Sequence, residues 1–429
     1  MTRPRDVDAP RSLPADSRMM MRPQIVRVAG VVCVGALAAC DSGDRAPAPN
    51  ALVDLPSPAA VPSGEPFLTT DANGGVHLTW LEKHGDSTYA LRYATLAGDT
   101  WSAPRTIAER RDFFVNWADF PSVTVTKSGA LVAHWLQRRP GGKYSYDAMI
   151  TQSTDSGRTW SEGRILHRDG VAAEHGFVAV WPAEDGGVEA AWLDGRGTTT
   201  NDEAMRAMHV ATTSMAPDGS LGDERILDTR NCDCCQVAAT VTPRGPVIAY
   251  RDRTADEIRD IAVVRRDGGQ WTEPSIVHDD HWQIAACPVN GPALASRGDT
   301  VVIAWFTGAQ DTARVRVAYS TDGGATFGAP QRIDDGNPAG RVDVEMLDDG
   351  SAAVSWLERT DSTSAEVRLR RVRRDGTAGT AVTLAKAMGA RASGFPRITR
   401  RGGDLIAAWT HAGDSAQVRL ARYHLEALP

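Results

Sequence analysis

Apolar and polar positions alternate along this chain in short bursts that return at a fixed distance. Aligning "VHLTWLE", "ALVAHWLQ", "VEAAWLDG", "PVIAYRDR", "VVIAWFTG", "AAVSWLER" and "LIAAWTHA" sets one aromatic in register seven times: Trp80, Trp135, Trp192, Tyr250, Trp305, Trp356 and Trp409. The intervals are 55, 57, 58, 55, 51 and 53 residues. A short apolar segment and a Gly/Asp turn precede each copy, as in "SVTVTKSG", "VAATVTPRG" and "RVDVEMLDDGS". A β-rich segment such as "VRVAYST", "VRLRRVR" or "VRLARYH" follows. Period-two alternation with turn residues between the bursts predicts short antiparallel strands, four to a repeat. A lone four-stranded sheet cannot bury both faces, so the repeats must pack radially and close.

The pattern therefore predicts an all-β fold, a β-propeller of four-stranded antiparallel blades over residues 61–429. Seven anchors favour seven blades, and a six-bladed ring with one anchor outside it is the alternative. The last copy ends at "VRLARYHLEALP" after three strands, so its outermost strand has to come from elsewhere. "NALVDLPSP" (50–58), just ahead of the first repeat, is the candidate ring-closing strand.

The N-terminus has another character. "IVRVAGVVCVGALAAC" follows arginines, is too short to span a bilayer comfortably, and ends in small residues. Leu37-Ala38-Ala39-Cys40 resembles the bacterial lipobox, which implies a signal peptide over residues 1–39, cleavage before Cys40 and lipidation of that cysteine. "MMMRP" (19–23) offers later starts, so residues 1–20 fall outside the translated chain if Met21 is used. Residues 40–60, beginning "CDSGDRAPAPN", read as a flexible tether. The expected location is the bacterial cell envelope, lipid-anchored on the periplasmic or outer-surface side of a membrane.

Composition changes this picture only by exclusion. The formal net charge is −7 with no basic stripe, which argues against nucleic acid as a partner. The expected partner is a small molecule or glycan, with the protein a monomer.

"STDSGRTW" (153–160) and "STDGGATF" (320–327) match the Asp-box, and "AGDTWSAP" and "RRDGGQWTEP" look like degraded copies of it. On these motifs the chain resembles the sialidase-like, BNR-repeat propellers. The resemblance implies that Asp155 and Asp322 hold a turn between third and fourth strands, while Trp160 and Phe327 pack between blades. It also implies, for a sialidase, three arginines on a carboxylate, a Tyr–Glu nucleophile pair and an acidic Asp. No Arg-Ile-Pro or Arg-Leu-Pro occurs near the start, and no Tyr–Glu pair can be named: Tyr250 is an anchor, and Tyr144 and Tyr146 lie in a Gly-rich stretch.

Propeller geometry places the segments leading into first strands and out of second strands on one face, around the channel. That face would collect Asp119, Arg196, Arg251, Arg253 and Arg341 as candidate catalytic groups. His175, Asp194, Asp252, Asn290, Arg391 and His411 would be ligand-binding groups there. Convergent polar groups in a concavity are the usual composition of a binding site.

The same face would hold "NCDCCQ" and "ACPVNGP". With Cys33 in the signal and Cys40 lipidated, the mature domain keeps Cys232, Cys234, Cys235 and Cys287. Two main readings stay open, with reactive free thiols as a third. In an oxidising compartment thiols pair as disulfides, yet Cys234–Cys235 and Cys232–Cys234 are both cramped pairings. A soft ion, Cu(I) or Zn, is the other reading, with His175, His278 or His281 as replacement ligands. The sequence also resembles exported proteins commonly labelled exo-α-sialidases that share this cysteine pair of motifs, a subgroup to which no activity is attached. The functional expectation is a propeller that binds an anionic small molecule, a glycan or a soft metal ion at one end of its channel. A sialidase-type glycoside hydrolase and an envelope interaction scaffold are the alternatives.

The lipid anchor yields the first test. Cys40→Ala should leave the precursor unprocessed and unlipidated, because the thiol is the acyl acceptor; normal mass and membrane retention in that variant would contradict the anchor.

Overall fold

A computed structural model describes residues 51–202, 205–413 and 415–429. The signal segment, Cys40 and most of the tether lie outside the described residues. The described chain forms seven antiparallel sheets, one per repeat, and contains no α-helix, only short 3-10 turns. Among the described residues no helix is long and apolar enough to cross a membrane. Seven blades form a seven-bladed β-propeller, so the six-bladed alternative is set aside.

The innermost strands are Ser63–Thr70, Ser122–Val125, His175–Pro182, Ala238–Thr242, Ala293–Arg297, Pro338–Met346 and Arg397–Arg401. The aromatic anchors all sit in the next strand out and are nearly sealed from solvent, from 0% exposure at Trp80, Trp192, Tyr250 and Trp356 to 7% at Trp409. Their surroundings explain the period. The buried apolar residues fall into seven clusters, each joining two neighbouring blades: Trp80 and Leu78 of blade one with Ile406 and Leu420 of blade seven, or Trp305 of blade five with Val247 and Val263 of blade four. Burying each such aromatic is worth several kcal/mol, about 3–5 by truncation to alanine.

The residues two positions after several anchors serve the anchors. Residues i and i+2 share a strand face, and Glu82, Asp194 and Glu358 accept the indole N–H of Trp80, Trp192 and Trp356 at 2.9, 2.9 and 2.6 Å. The repeated "W-L-D/E" is thus a buried donor supplied with its acceptor, since an unpaired indole N–H would cost stability.

The Asp-box turns occupy the junction between third and fourth strands. Asp155 accepts from the backbone N–H groups of Arg158 and Thr159 at 3.0 and 2.9 Å, and Asp322 from that of Thr326 at 2.9 Å. Trp160 meets Tyr93 of blade one edge-on, 6.3 Å between centroids, and Phe327 packs against the layer between blades four and five. The degraded boxes sit at the same junction in blades one and four, where the outer strand is split into two short pieces.

The ring closes through the N-terminal segment. Leu52–Leu55 pairs antiparallel with Gln417–His424, Leu52 opposite Tyr423 and Leu55 opposite Leu420, as the fourth strand of blade seven. Leu55 enters the layer between blades seven and one, and Ala51 the layer between six and seven. Leu55→Ala should lower unfolding free energy by about 2–3 kcal/mol in a denaturant titration, and deleting 51–55 should also cause aggregation through the exposed edge. Unchanged midpoints in both would show that closure lies elsewhere.

Candidate thiolate site at the channel mouth

The cysteine loop connects the last strand of blade three, Arg225–Asn231, to the first strand of blade four, Ala238–Thr242. Its start is pinned to its own blade: Cys232 N–H donates to the Arg251 carbonyl at 2.9 Å. Cys232 Sγ lies 3.1 Å from Cys235 Sγ and 3.9 Å from Cys234 Sγ. All three sulfurs fit within 4.8 Å of one another. Cys287, from the segment leading into blade five, is exposed, and its thiol interacts with that of Cys234. All four thiols are free.

Charge around the loop is arranged in pairs. Arg259 Nη1 donates to Cys232 Sγ at 3.3 Å and its other end grips Glu257 at 2.7 Å. Arg253 bridges Glu257 at 2.7 Å and Asp233 at 3.1 Å. Hydrogen bonds from Cys234 and Cys235, helped by the Arg251 charge, hold the Cys232 thiol well below the usual range despite its burial. The bond from Cys234 likewise lowers Cys287. Cys234 is pushed up by giving those bonds to Cys232, and Cys235 chiefly by burial. Two thiols held low beside two pushed up make a sulfur cluster that suits a soft cation.

The candidate arginine triad does not assemble. Arg251, 1% exposed, gives its guanidinium to the carbonyls of Asn290, Arg259 and Phe306 at 2.6–3.0 Å and stacks on Trp282. Arg341 gives its own to the carbonyls of Gly394 and Ala390 beneath Trp117, and burial lowers it to about 10. Arg196 is held by Asp194 and Glu224, each at 2.7 Å. Arg253 is engaged as described, and Arg391 is exposed, 6.0 Å over Trp117. No three of them point a free guanidinium at one place.

The remaining candidates divide in the same way. Asn290 is an inter-blade clasp: its side-chain oxygen accepts the Arg341 N–H at 2.7 Å while its amide reaches Ala339 O. Asp252 is half-buried and raised to about 6 by that burial, its backbone bridging to Asn231. His411 is exposed at the end of its strand. His175 and Asp194 belong to a separate buried cluster between blades two and three, so His175 is not at the thiols. His278 and His281 stand beside Asp280 and Asp260.

Asp119 is buried and raised well above its usual value by that burial, and it accepts the Phe177 N–H at 2.8 Å. Beside it is a Tyr–Glu pair that spacing did not reveal: Tyr146 Oη donates to Glu174 Oε1 at 2.7 Å. Tyr146 is wholly buried, stacked 4.0 Å from Phe114, and burial raises its hydroxyl. Burial also raises Glu174, to about 7.

Aromatic rings line the channel. Phe67, Phe120, Phe395 and Trp117 form a continuous chain with centroids about 6 Å apart. The cavity beside them, lined by Asp119, Phe177, Gln236 and Arg397, holds about 130 Å³, below the roughly 300 Å³ where small-molecule pockets begin.

No family model and no curated protein matches the sequence. Among solved structures the chain is similar to a Dyadobacter fermentans protein of unknown function, with TM-score 0.51, 14% identity, and coverage of 87% of this chain and 97% of that one. It is similar to the polysaccharide lyase Uly1, with TM-score 0.52, 11% identity and coverage of 86% and 91%. The NanB sialidase of Streptococcus pneumoniae aligns at TM-score 0.48 and 13% identity over 87% of this chain and 70% of that one. The likeness is one of fold.

The Arg259 contact gives a test of the site's electrostatics. Arg259→Gln should move the lowest thiol titration, followed by ultraviolet thiolate absorbance, upward by about 1 pH unit; an unmoved curve would mean that Arg259 does not hold the Cys232 thiolate.

Proposed function

We propose that the protein is a lipid-anchored envelope propeller that holds one soft metal ion, Cu(I) or Zn(II), among Cys232, Cys234, Cys235 and Cys287. The observation that carries this reading is the packing of three sulfurs within 4.8 Å of one another with a fourth thiol beside them. Thiolates select soft ions, and three or four sulfurs suit Cu(I) or tetrahedral Zn(II). The two deepest sulfurs, Cys232 and Cys235, are sealed by the fold, whereas Cys287 is exposed. Cys287 is therefore the ligand through which an ion is exchanged with a donor or acceptor. Loading must displace protons from the raised thiols of Cys234 and Cys235, so affinity rises with pH.

A glycan or anionic ligand has less support. Uly1 is a polysaccharide lyase, yet the cavity beside the aromatic rings is small, the larger hollow of about 470 Å³ is lined by Thr70, Asp343, Glu345 and Arg400 and by none of the candidate arginines, and those arginines are held by carbonyls and carboxylates. A sialidase-type hydrolase has the Tyr146–Glu174 pair in its favour, but that phenol is buried and its proton firmly held. Absence of turnover of a fluorogenic sialoside is expected.

One equivalent of Cu(I) or Zn(II) added to reduced protein should protect the four thiols from a thiol reagent and raise the melting temperature. At free metal about a hundredfold above Kd, the gain is about 2.7 kcal/mol. Recovery of Cys232–Cys235 and Cys234–Cys287 disulfides from the native envelope, with no metal effect after reduction, would replace this reading with a structural one.

A further inference from the structure

A second cluster of ligating groups lies between blades two and three, apart from the thiols. The imidazoles of His167 and His175 are stacked, 3.5 Å between centroids and 5° between planes. One carboxylate orients both. Asp169 Oδ1 is 2.8 Å from His167 Nδ1, and its Oδ2 is 3.0 Å from His175 Nε2. The other nitrogen of each ring, His167 Nε2 and His175 Nδ1, has no hydrogen-bond partner, although the two side chains are 1% and 0% exposed. Asp147 Oδ1 stands 3.2 Å from His167 Nε2, outside hydrogen-bond geometry, and ligand atoms of Asp147, His167 and His175 lie within 4.8 Å of one another.

Two buried nitrogens without partners are costly unless something fills the position between them. A carboxylate that takes the far N–H of each imidazole is the usual second shell of a histidine-bound metal, because it fixes the tautomer that leaves the near nitrogen free to coordinate. Charge points the same way. Among the described residues, the four carboxylates of Asp147, Asp169, Asp194 and Glu224 pair with the two guanidiniums of Arg139 and Arg196 and crowd around the two imidazoles, an acidic surplus in a buried place. A divalent cation balances it.

We propose that Asp147, His167 and His175 form a buried site for one divalent ion of borderline softness, of the Zn(II) class, which ties blade two to blade three. Mixed imidazole and carboxylate donors suit Zn(II) or Co(II) rather than Cu(I), Mg²⁺ or Ca²⁺. Nitrogens around a tetrahedral ion with bonds of about 2.0 Å stand about 3.3 Å apart, close to the ring spacing here, but the in-plane lone pairs of parallel rings do not converge, so loading must splay the two imidazoles out of their stack. Asp147 comes from the third strand of blade two, His167 from just after its fourth, and His175 opens the first strand of blade three. The ion would thus fasten two blades at a point where the seam is polar.

The test uses full-length protein with Cys232, Cys234, Cys235 and Cys287 changed to Ser, produced in cobalt-supplemented medium so that the closed site fills during folding. About one Co(II) per chain is expected, with ligand-field absorption but without sulfur-to-cobalt charge transfer, and His167→Gln or Asp147→Asn on this background should lose it. If the four-serine chain does not fold, the wild-type chain should carry the same sulfur-free ligand-field component beside any thiolate band, and His167→Gln should remove that component alone. Absence of the sulfur-free component, or its persistence in His167→Gln, overturns the proposal. Failure of the thiol site would delete only the charge-transfer band, so the two sites are judged separately.

Discussion

A four-stranded blade has two apolar faces and cannot cover either by itself. Everything else in the molecule follows from covering them with neighbours. The anchors Trp80, Trp135, Trp192, Tyr250, Trp305, Trp356 and Trp409 lie in the layers between blades, and each layer is complete only when both blades are present. Closure is therefore cooperative around the ring, and the four residues Leu52–Leu55 finish it by covering the last free edge.

Closure also decides where chemistry can gather. The segments leading into successive first strands are far apart in sequence but adjacent in the ring, and several of their polar groups tie neighbouring loops together. Arg251 and Arg341 satisfy clusters of backbone carbonyls where loops meet. Gln236 accepts the Gly291 N–H at 2.9 Å, and Gly291 has no room for a side chain because a Cβ would stand 2.2 Å from the Gln236 carbonyl. This tight approach brings "CPVNGP" against "NCDCCQ" and so sets Cys287 beside Cys234.

The fold was legible in the sequence because a period needs only one residue type in register, and burial enforces it at every repeat. The closing strand was legible for a related reason: the last repeat lacks its fourth strand. The site was legible only as a set of residues on one face. Charge is visible in a sequence but its partner is not, so Arg251 and Arg341 read as ligand-grippers when they are tied to carbonyls. Asp194 could have been read otherwise, since it stands two residues after Trp192 on the same strand face. Tyr146 with Glu174 belongs to neighbouring blades, and His167 with His175 meets across the same seam; no local spacing marks such contacts. Arg259, the partner of the Cys232 thiol, gave no signal of its own. The Cys232–Cys235 spacing was in plain view, and its significance came only from the 3.1 Å between the sulfurs.

We propose that ring closure assembles a sulfur-only site from two consecutive blades. X-ray absorption at the metal edge of protein loaded with one equivalent of Cu(I) tests it most directly. The account predicts a first shell of three or four sulfurs that loses one sulfur in Cys287→Ser; a shell containing nitrogen or oxygen, or one unaltered in Cys287→Ser, would contradict it.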